Sequence, residues 1–144
     1  KKGIIFFSAH YGNWEIGPLI IKSLNLKPLC VYRKSNNFFL NTLIQFIRSP
    51  LGEYAPKGDL GAKKSFLWLR KGNSLAILMD QKLNEGPFIK FLGRPAPTAS
   101  FIAELAIRMD LDIIPIKFSR SKDIQNIITF QKEKGLYIIQ IFAL

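Results

Sequence analysis

The stretch Gly3-Ile4-Ile5-Phe6-Phe7-Ser8-Ala9-His10-Tyr11-Gly12-Asn13-Trp14-Glu15 decides how this chain is read. Gly3 to Ala9 is an apolar run with the character of a buried strand, and Ile16 to Leu24 beyond it reads as a helix. On a helix, residues with the separation of His10 and Glu15 are rotated by about 500° and point to different sides, because only i+3 and i+4 neighbours face each other. For the two to cooperate, His10 must sit at the strand end or in the turn. Gly12 and Asn13 supply turn chemistry, with Asn13 as N-cap, and Glu15 falls in the first helical turn, where the dipole favours a carboxylate. Glu15 then accepts a proton from one imidazole nitrogen and leaves the other as a base. An enzyme needs such a pair when a hydroxyl must be deprotonated. A histidine after a strand is more often a hydrogen-bonded structural residue. His10, however, is the only histidine in the chain, so imidazole chemistry near neutral pH falls to it.

The chain has 144 residues, enough for one domain with a real core over 1–144 and too few for two. A hydrophobic content of 48% excludes disorder. The single cysteine, Cys30, excludes a disulfide framework and fits a reducing compartment. It lies in the apolar run Pro28-Leu29-Cys30-Val31-Tyr32, as a buried strand residue rather than a nucleophile. No stretch approaches the roughly 18 to 20 apolar residues of a membrane span, and the start has no signal-peptide pattern. The chain begins at Lys1-Lys2, directly before a core strand, and ends inside the apolar run Ile141-Phe142-Ala143-Leu144, as expected of part of a longer protein.

The net charge of +11 calls for an anionic partner: nucleic acid, an acidic protein or a phosphate-bearing lipid surface. Part of it is solvated surface, since Lys63-Lys64 and Arg70-Lys71 read as exposed helix faces. The aromatic or glycine-rich signatures of nucleic-acid modules are missing, so no nucleic-acid partner is expected.

Taken in order, Pro28 to Arg33 reads as a second strand and Lys34-Ser35-Asn36-Asn37 as a polar loop. Phe38 to Arg48 shows helical spacing of Phe39, Leu43, Phe46 and Ile47, stopped by Ser49-Pro50-Leu51-Gly52. A third helix spans about Leu60 to Lys71, and Ser74 to Met79 is a third strand ending in Asp80-Gln81. Lys82 to Pro97 is a long connection of the kind that tends to be functional, with a short edge strand at Phe88 to Leu92. Thr98 to Met109 is a fourth helix capped by Thr98 or Ser100. Asp112 to Phe118 is a strand whose Pro115 argues for an edge or a bulge. Ile124 to Phe130 and Leu136 to Phe142 form an antiparallel pair. The pattern implies an α/β sandwich: a mixed, centrally parallel sheet flanked by helices. Sites in such sheets form beyond the carboxyl ends of the strands, and the loops after His10, Arg33 and Asp80 hold most of the candidate chemical groups.

Ala9 to Glu15, Val31-Tyr32-Arg33 with Asn37, Leu69-Arg70-Lys71-Gly72, Asp80-Gln81 and Phe91-Leu92-Gly93-Arg94-Pro95-Ala96-Pro97-Thr98 follow in one order. Together they resemble the bacterial lipid A biosynthesis acyltransferases, the lauroyl/myristoyl group of the lysophospholipid acyltransferase superfamily. The likeness runs from Gly3 to about Phe118, with Leu92 standing where the family usually has a second aromatic. It implies a glycerolipid-acyltransferase-like fold and a His-x4-Asp/Glu catalytic pair on His10 and Glu15. Arg48 and Asp80 fall on further functional positions, and Asn13, Arg33, Asn37, Gln81 and Arg94 are expected to bind substrate. The implied reaction has His10 deprotonate a hydroxyl of a lipid A precursor, which attacks the thioester of an acyl chain on acyl carrier protein. No covalent acyl-enzyme, cofactor or metal enters. Arg48 or a backbone N–H near Gly12 would serve the oxyanion. Arg94, near a helix start, would meet a phosphate. Phe38, Phe39 and Phe46 would line an acyl groove or form plain core. Acidic acyl carrier protein, a phosphorylated glycolipid and a membrane surface suit the basic charge, and the implied location is the cytoplasmic face of the inner membrane. The resemblance also implies an amphipathic or membrane-anchoring N-terminal part and a C-terminal part, both expected to lie outside residues 1–144.

Two alternatives stand beside this reading. One is another superfamily acyltransferase, acting on glycerophosphate lipids or mannosylated phosphoinositide. Those acting on glycerophosphate typically carry Asp in the histidine motif and a Phe-Pro-Glu-Gly block, for which the closest string here is Glu85-Gly86-Pro87. The other is a non-catalytic basic module binding nucleic acid or an acidic protein.

Overall fold

The computed structural model describes residues 2–81, 86–120, 126–132 and 135–137. Five strands run parallel in the order β3-β2-β4-β1-β7: β1 (Ile4–Ser8), β2 (Pro28–Tyr32), β3 (Glu53–Pro56), β4 (Ser74–Leu78) and β7 (Asp112–Arg120). β8 (Asn126–Lys132) and β9 (Gly135–Tyr137) extend the sheet antiparallel beyond β7. β5 (Phe88–Phe91) and β6 (Arg94–Pro97) form a separate hairpin. The helices are α1 (Gly17–Ser23), α2 (Phe38–Arg48), α3 (Asp59–Arg70) and α4 (Phe101–Met109).

Strand β1 shows why both faces of the sheet are covered. Neighbouring side chains on a strand point to opposite faces, and Ile5 and Phe6 are both buried. Ile5 packs with Leu29, Ala55 and Leu75 beneath Leu69 of α3 and Ile102 and Leu105 of α4. Phe6 packs with Ile116, Phe118 and Ile128 against Ile20 and Ile21 of α1. The apolar runs read from the sequence are therefore the central strands of a doubly covered sheet.

Several expectations are corrected. The short strand β3 was not foreseen, because Glu53-Tyr54-Ala55-Pro56 has only Ala55 buried and ends in proline. The Phe88 segment pairs with β6 rather than adding an edge to the main sheet. β7 is internal, between β1 and β8, and tolerates Pro115 because pairing with β8 begins only at Ile116. Phe38, Phe39 and Phe46 are neither core nor cavity lining: they are 73%, 82% and 77% exposed. Residues 82–85, 121–125 and 138–144, including parts of the long connection and of the last two expected strands, lie outside the described residues.

α3 approaches the end of β3 closely, and a β-carbon at Gly61 would stand 1.9 Å from the Pro56 carbonyl oxygen. Gly61→Ala is expected to lower unfolding free energy by on the order of 3 kcal/mol. The Ser65 hydroxyl in the same helix is buried without a hydrogen-bond partner. Ser65→Ala should therefore raise stability by about 1 kcal/mol in thermal or urea denaturation.

Candidate active site

Parallel β1 and β4 are in register with Ser8 opposite Leu78, and the Met79 N–H bonds the Ser8 carbonyl at 2.9 Å. Two residues further along each chain stand His10 and Asp80. The His10 backbone N–H donates to Asp80 Oδ2 at 2.8 Å, and the imidazole Nδ1 meets Oδ1 at 2.7 Å. One carboxylate thus fixes both the backbone and the ring of the only histidine. Desolvation pushes the Asp80 carboxyl up, but the bonds from the His10 N–H and ring outweigh it and hold its pKa below the ordinary 3.8. In the neutral ring, a carboxylate acceptor at Nδ1 favours the Nδ1–H tautomer, which presents Nε2 as the acceptor.

The loop after His10 is shaped by Gly12, at φ +63°, where a β-carbon would lie 2.5 Å from the Phe118 carbonyl oxygen. That position demands glycine on both counts. Trp14 to Ile16 follows as a 3₁₀ turn rather than the start of the α-helix, and the Asn13 side chain makes no cap bond. Successive residues of a 3₁₀ turn diverge by about 120°. With the Trp14 ring T-shaped to His10 at 5.1 Å between centroids, its neighbour Glu15 points instead to Arg48.

The expected direct contact of Glu15 with His10 is therefore not formed. Glu15 makes an ion pair with Arg48 at the end of α2. The Arg48 guanidinium carbon also lies 5.9 Å from the Trp14 ring centroid. A permanent guanidinium is a stronger partner for a carboxylate than a neutral ring. Asp80, Trp14, Arg48 and Glu15 thus form a connected set around His10, with Asp80 touching the imidazole.

A cavity of about 500 Å³ opens at this edge of the sheet, lined among others by His10, Trp14, Arg33, Arg48, Lys57 and Gln81. Its charged lining residues are all basic, with no carboxylate among those described. A smaller cavity of about 80 Å³ shares Trp14 and Arg48 and reaches Glu15, Cys30 and Phe118. Burial pushes the Cys30 thiol up to about 12, so it stays protonated. Among the described residues no group of three or more His, Cys, Asp or Glu could hold a metal.

Of the remaining candidates, Arg33 and Gln81 line the large cavity. Asn37 caps α2, its side-chain oxygen accepting from the Leu40 N–H at 3.2 Å. Arg94 opens β6, exposed and outside the cavity lining, so it is not at a helix start as expected. The N-cap position of α4 is Ser100, which makes no side-chain cap bond, while the Thr98 hydroxyl donates to the Ala96 carbonyl. Trp14 and Lys57 were not singled out. Trp14 stands inside the opening motif, and Lys57 follows the strand that the sequence pattern concealed.

A carboxylate-held imidazole at the carboxyl edge of a parallel α/β sheet, open to a large cavity, has the parts of a general-base enzyme. Residues 1–132 match the family model described as bacterial lipid A biosynthesis acyltransferase, and the chain belongs to that family. No curated protein matches the chain. No helix among the described residues is long and apolar enough to cross a membrane.

Two outcomes follow from these environments. Cys30 should resist alkylation in the folded protein at pH 8 and react once it is unfolded. Asp80, with a depressed folded pKa, contributes stability above its unfolded value near 3.8 that is lost as pH falls through the lower folded value. The stability difference between the natural protein and Asp80→Asn should therefore shrink in acid titrations below that point.

Proposed function

We propose that this member of the family transfers a fatty acyl chain from acyl carrier protein to a hydroxyl of a phosphorylated lipid A precursor, with His10 as general base. The observation carrying this is the His10–Asp80 contact beside a cavity whose charged lining is basic. Nε2 takes the hydroxyl proton as the oxygen adds to the thioester carbonyl carbon. The C–S bond then breaks, and the proton passes from His10 to the departing thiolate. No acyl-enzyme is needed, in keeping with a Cys30 thiol held at about 12.

Asp80 acts through His10 as a positioning residue: it selects the tautomer and stabilises the imidazolium that forms during transfer. Glu15 acts at one remove, by holding Arg48 against Trp14. Arg48 and a backbone N–H near Gly12 are the groups we assign to the developing oxyanion. Arg33 and Lys57 offer cations to a phosphorylated acceptor or to the phosphodiester arm of the carrier. The site would work on the cytoplasmic face of the inner membrane, where donor and acceptor meet.

In the full-length protein, His10→Ala is expected to cut acyl transfer from the carrier by about 10³-fold or more with the fold intact. Rates near normal would remove His10 from the mechanism. Asp80→Asn should lower kcat by about 10²- to 10⁴-fold and change its pH profile. Because Glu15 and Arg48 act as one unit, the losses in Glu15→Gln and Arg48→Gln should be far from additive in the double variant. Additive losses would give the two residues separate roles.

A further inference from the structure

Helix α2 carries its apolar side outward. At about 100° per residue, Phe46, Phe39, Leu43, Ile47 and Leu40 fall within one arc of about 120°. All five are more than half exposed, Phe39 at 82% and Leu40 at 52% marking the extremes. Asn41, Gln45 and Arg48 occupy the opposite side and face the protein. Asn41 is buried and accepts from the Ser35 N–H at 3.3 Å, Gln45 donates to the Tyr32 hydroxyl, and Arg48 pairs with Glu15. A surface helix normally turns its apolar stripe to the core. This one is held to its domain by polar contacts and needs an apolar partner outside it.

The β5–β6 hairpin has the same character. Phe88, Ile89, Phe91 and Leu92 are all at least half exposed, and Leu92 and Gly93 form the tip at φ +49° and +82°. Lys90 and Arg94 stand among them, and neither the hairpin nor α2 contains an acidic residue. Both elements border the cavity that holds His10. Arg48 of α2 lines it, and so do Gly86 and Thr98 at the foot of the hairpin, where the Thr98 N–H bonds the Pro87 carbonyl at 3.0 Å.

We infer that α2 and the hairpin together seat the protein on an anionic phospholipid bilayer, with the cavity mouth at headgroup level. The occupant must be apolar where the phenylalanines point and anionic where Lys90 and Arg94 stand, and a charged bilayer interface supplies both. The apolar side chains stand on two elements that share no sheet pairing. A fluid surface accommodates such an array without a matching mould, whereas a folded partner needs shape complementarity. The net charge of +11 adds long-range attraction to the same surface. The choice of lipid over other apolar partners rests on the proposed lipid-borne acceptor.

The test is flotation of the protein with vesicles of phosphatidylcholine alone and of phosphatidylcholine with phosphatidylglycerol. The anionic vesicles should carry the protein and the neutral ones far less, with binding weakened by salt. Phe39→Ser/Phe46→Ser and Phe88→Ser/Phe91→Ser should each reduce the bound fraction at least about tenfold with unchanged circular dichroism. Ile107→Ser, at an 83% exposed residue of α4, should bind as the natural protein does. No flotation, or flotation unaffected by both double variants, overturns the inference. So does a concentration-dependent dimer that Phe39→Ser/Phe46→Ser abolishes without changing flotation. Flotation that persists while acyl transfer is absent overturns the proposed function alone. Transfer to a detergent-dispersed acceptor without flotation overturns the docking surface alone.

Discussion

The Asp80 carboxylate holds His10 at two points, the backbone N–H at 2.8 Å and the ring Nδ1 at 2.7 Å. That double contact is a consequence of sheet register. β1 and β4 run parallel with Ser8 opposite Leu78, so equal steps past those residues bring His10 and Asp80 together. The buried apolar strands that set this register, with Ile5 and Leu75 both fully covered, hold the site in place. Removing freedom from both ends of the imidazole before substrate arrives is what a general base requires, because its reach to a hydroxyl is limited to a hydrogen-bond length.

Around that contact, charge is arranged in one connected line. Asp80 meets His10, His10 packs T-shaped on Trp14, and Trp14 lies beside Arg48, which pairs with Glu15. The line joins the ends of β1, β4 and α2, so a shift in α2 reaches the imidazole through packed groups. This is why an apolar face on α2 bears on chemistry. A helix carrying Arg48 on one side and five exposed apolar residues on the other couples whatever covers it to the cavity.

The parallel centre of the sheet was legible because apolar runs such as Gly3 to Ala9 and Ser74 to Met79 are too continuous for strands with one wet face. The convergence of loops after β1, β2 and β4 followed from the same reading. The pairing inside the site was not legible. The sequence places Glu15 close to His10, while contact with Asp80 depends on which strand lies beside β1 and in what register. Periodicity carries no information about either. The turn at Trp14 to Ile16 was also hidden, since nothing in the residue types distinguishes a 3₁₀ turn from the first turn of an α-helix. α2 misled for a physical reason: helical spacing of Phe39, Leu43, Phe46 and Ile47 fixes which residues share a side but not which way that side faces.

Because His10 is the only histidine, one experiment reads the clasp without assignment ambiguity. Nitrogen NMR of the ¹⁵N-labelled imidazole at pH 8 reports which ring nitrogen bears the proton. The structure predicts the Nδ1–H form with Nε2 unprotonated, and loss of that preference in Asp80→Asn. A neutral ring protonated at Nε2 with Nδ1 bare in the natural protein would mean that Asp80 does not hold the imidazole, and the site described above would not be the base it is taken to be.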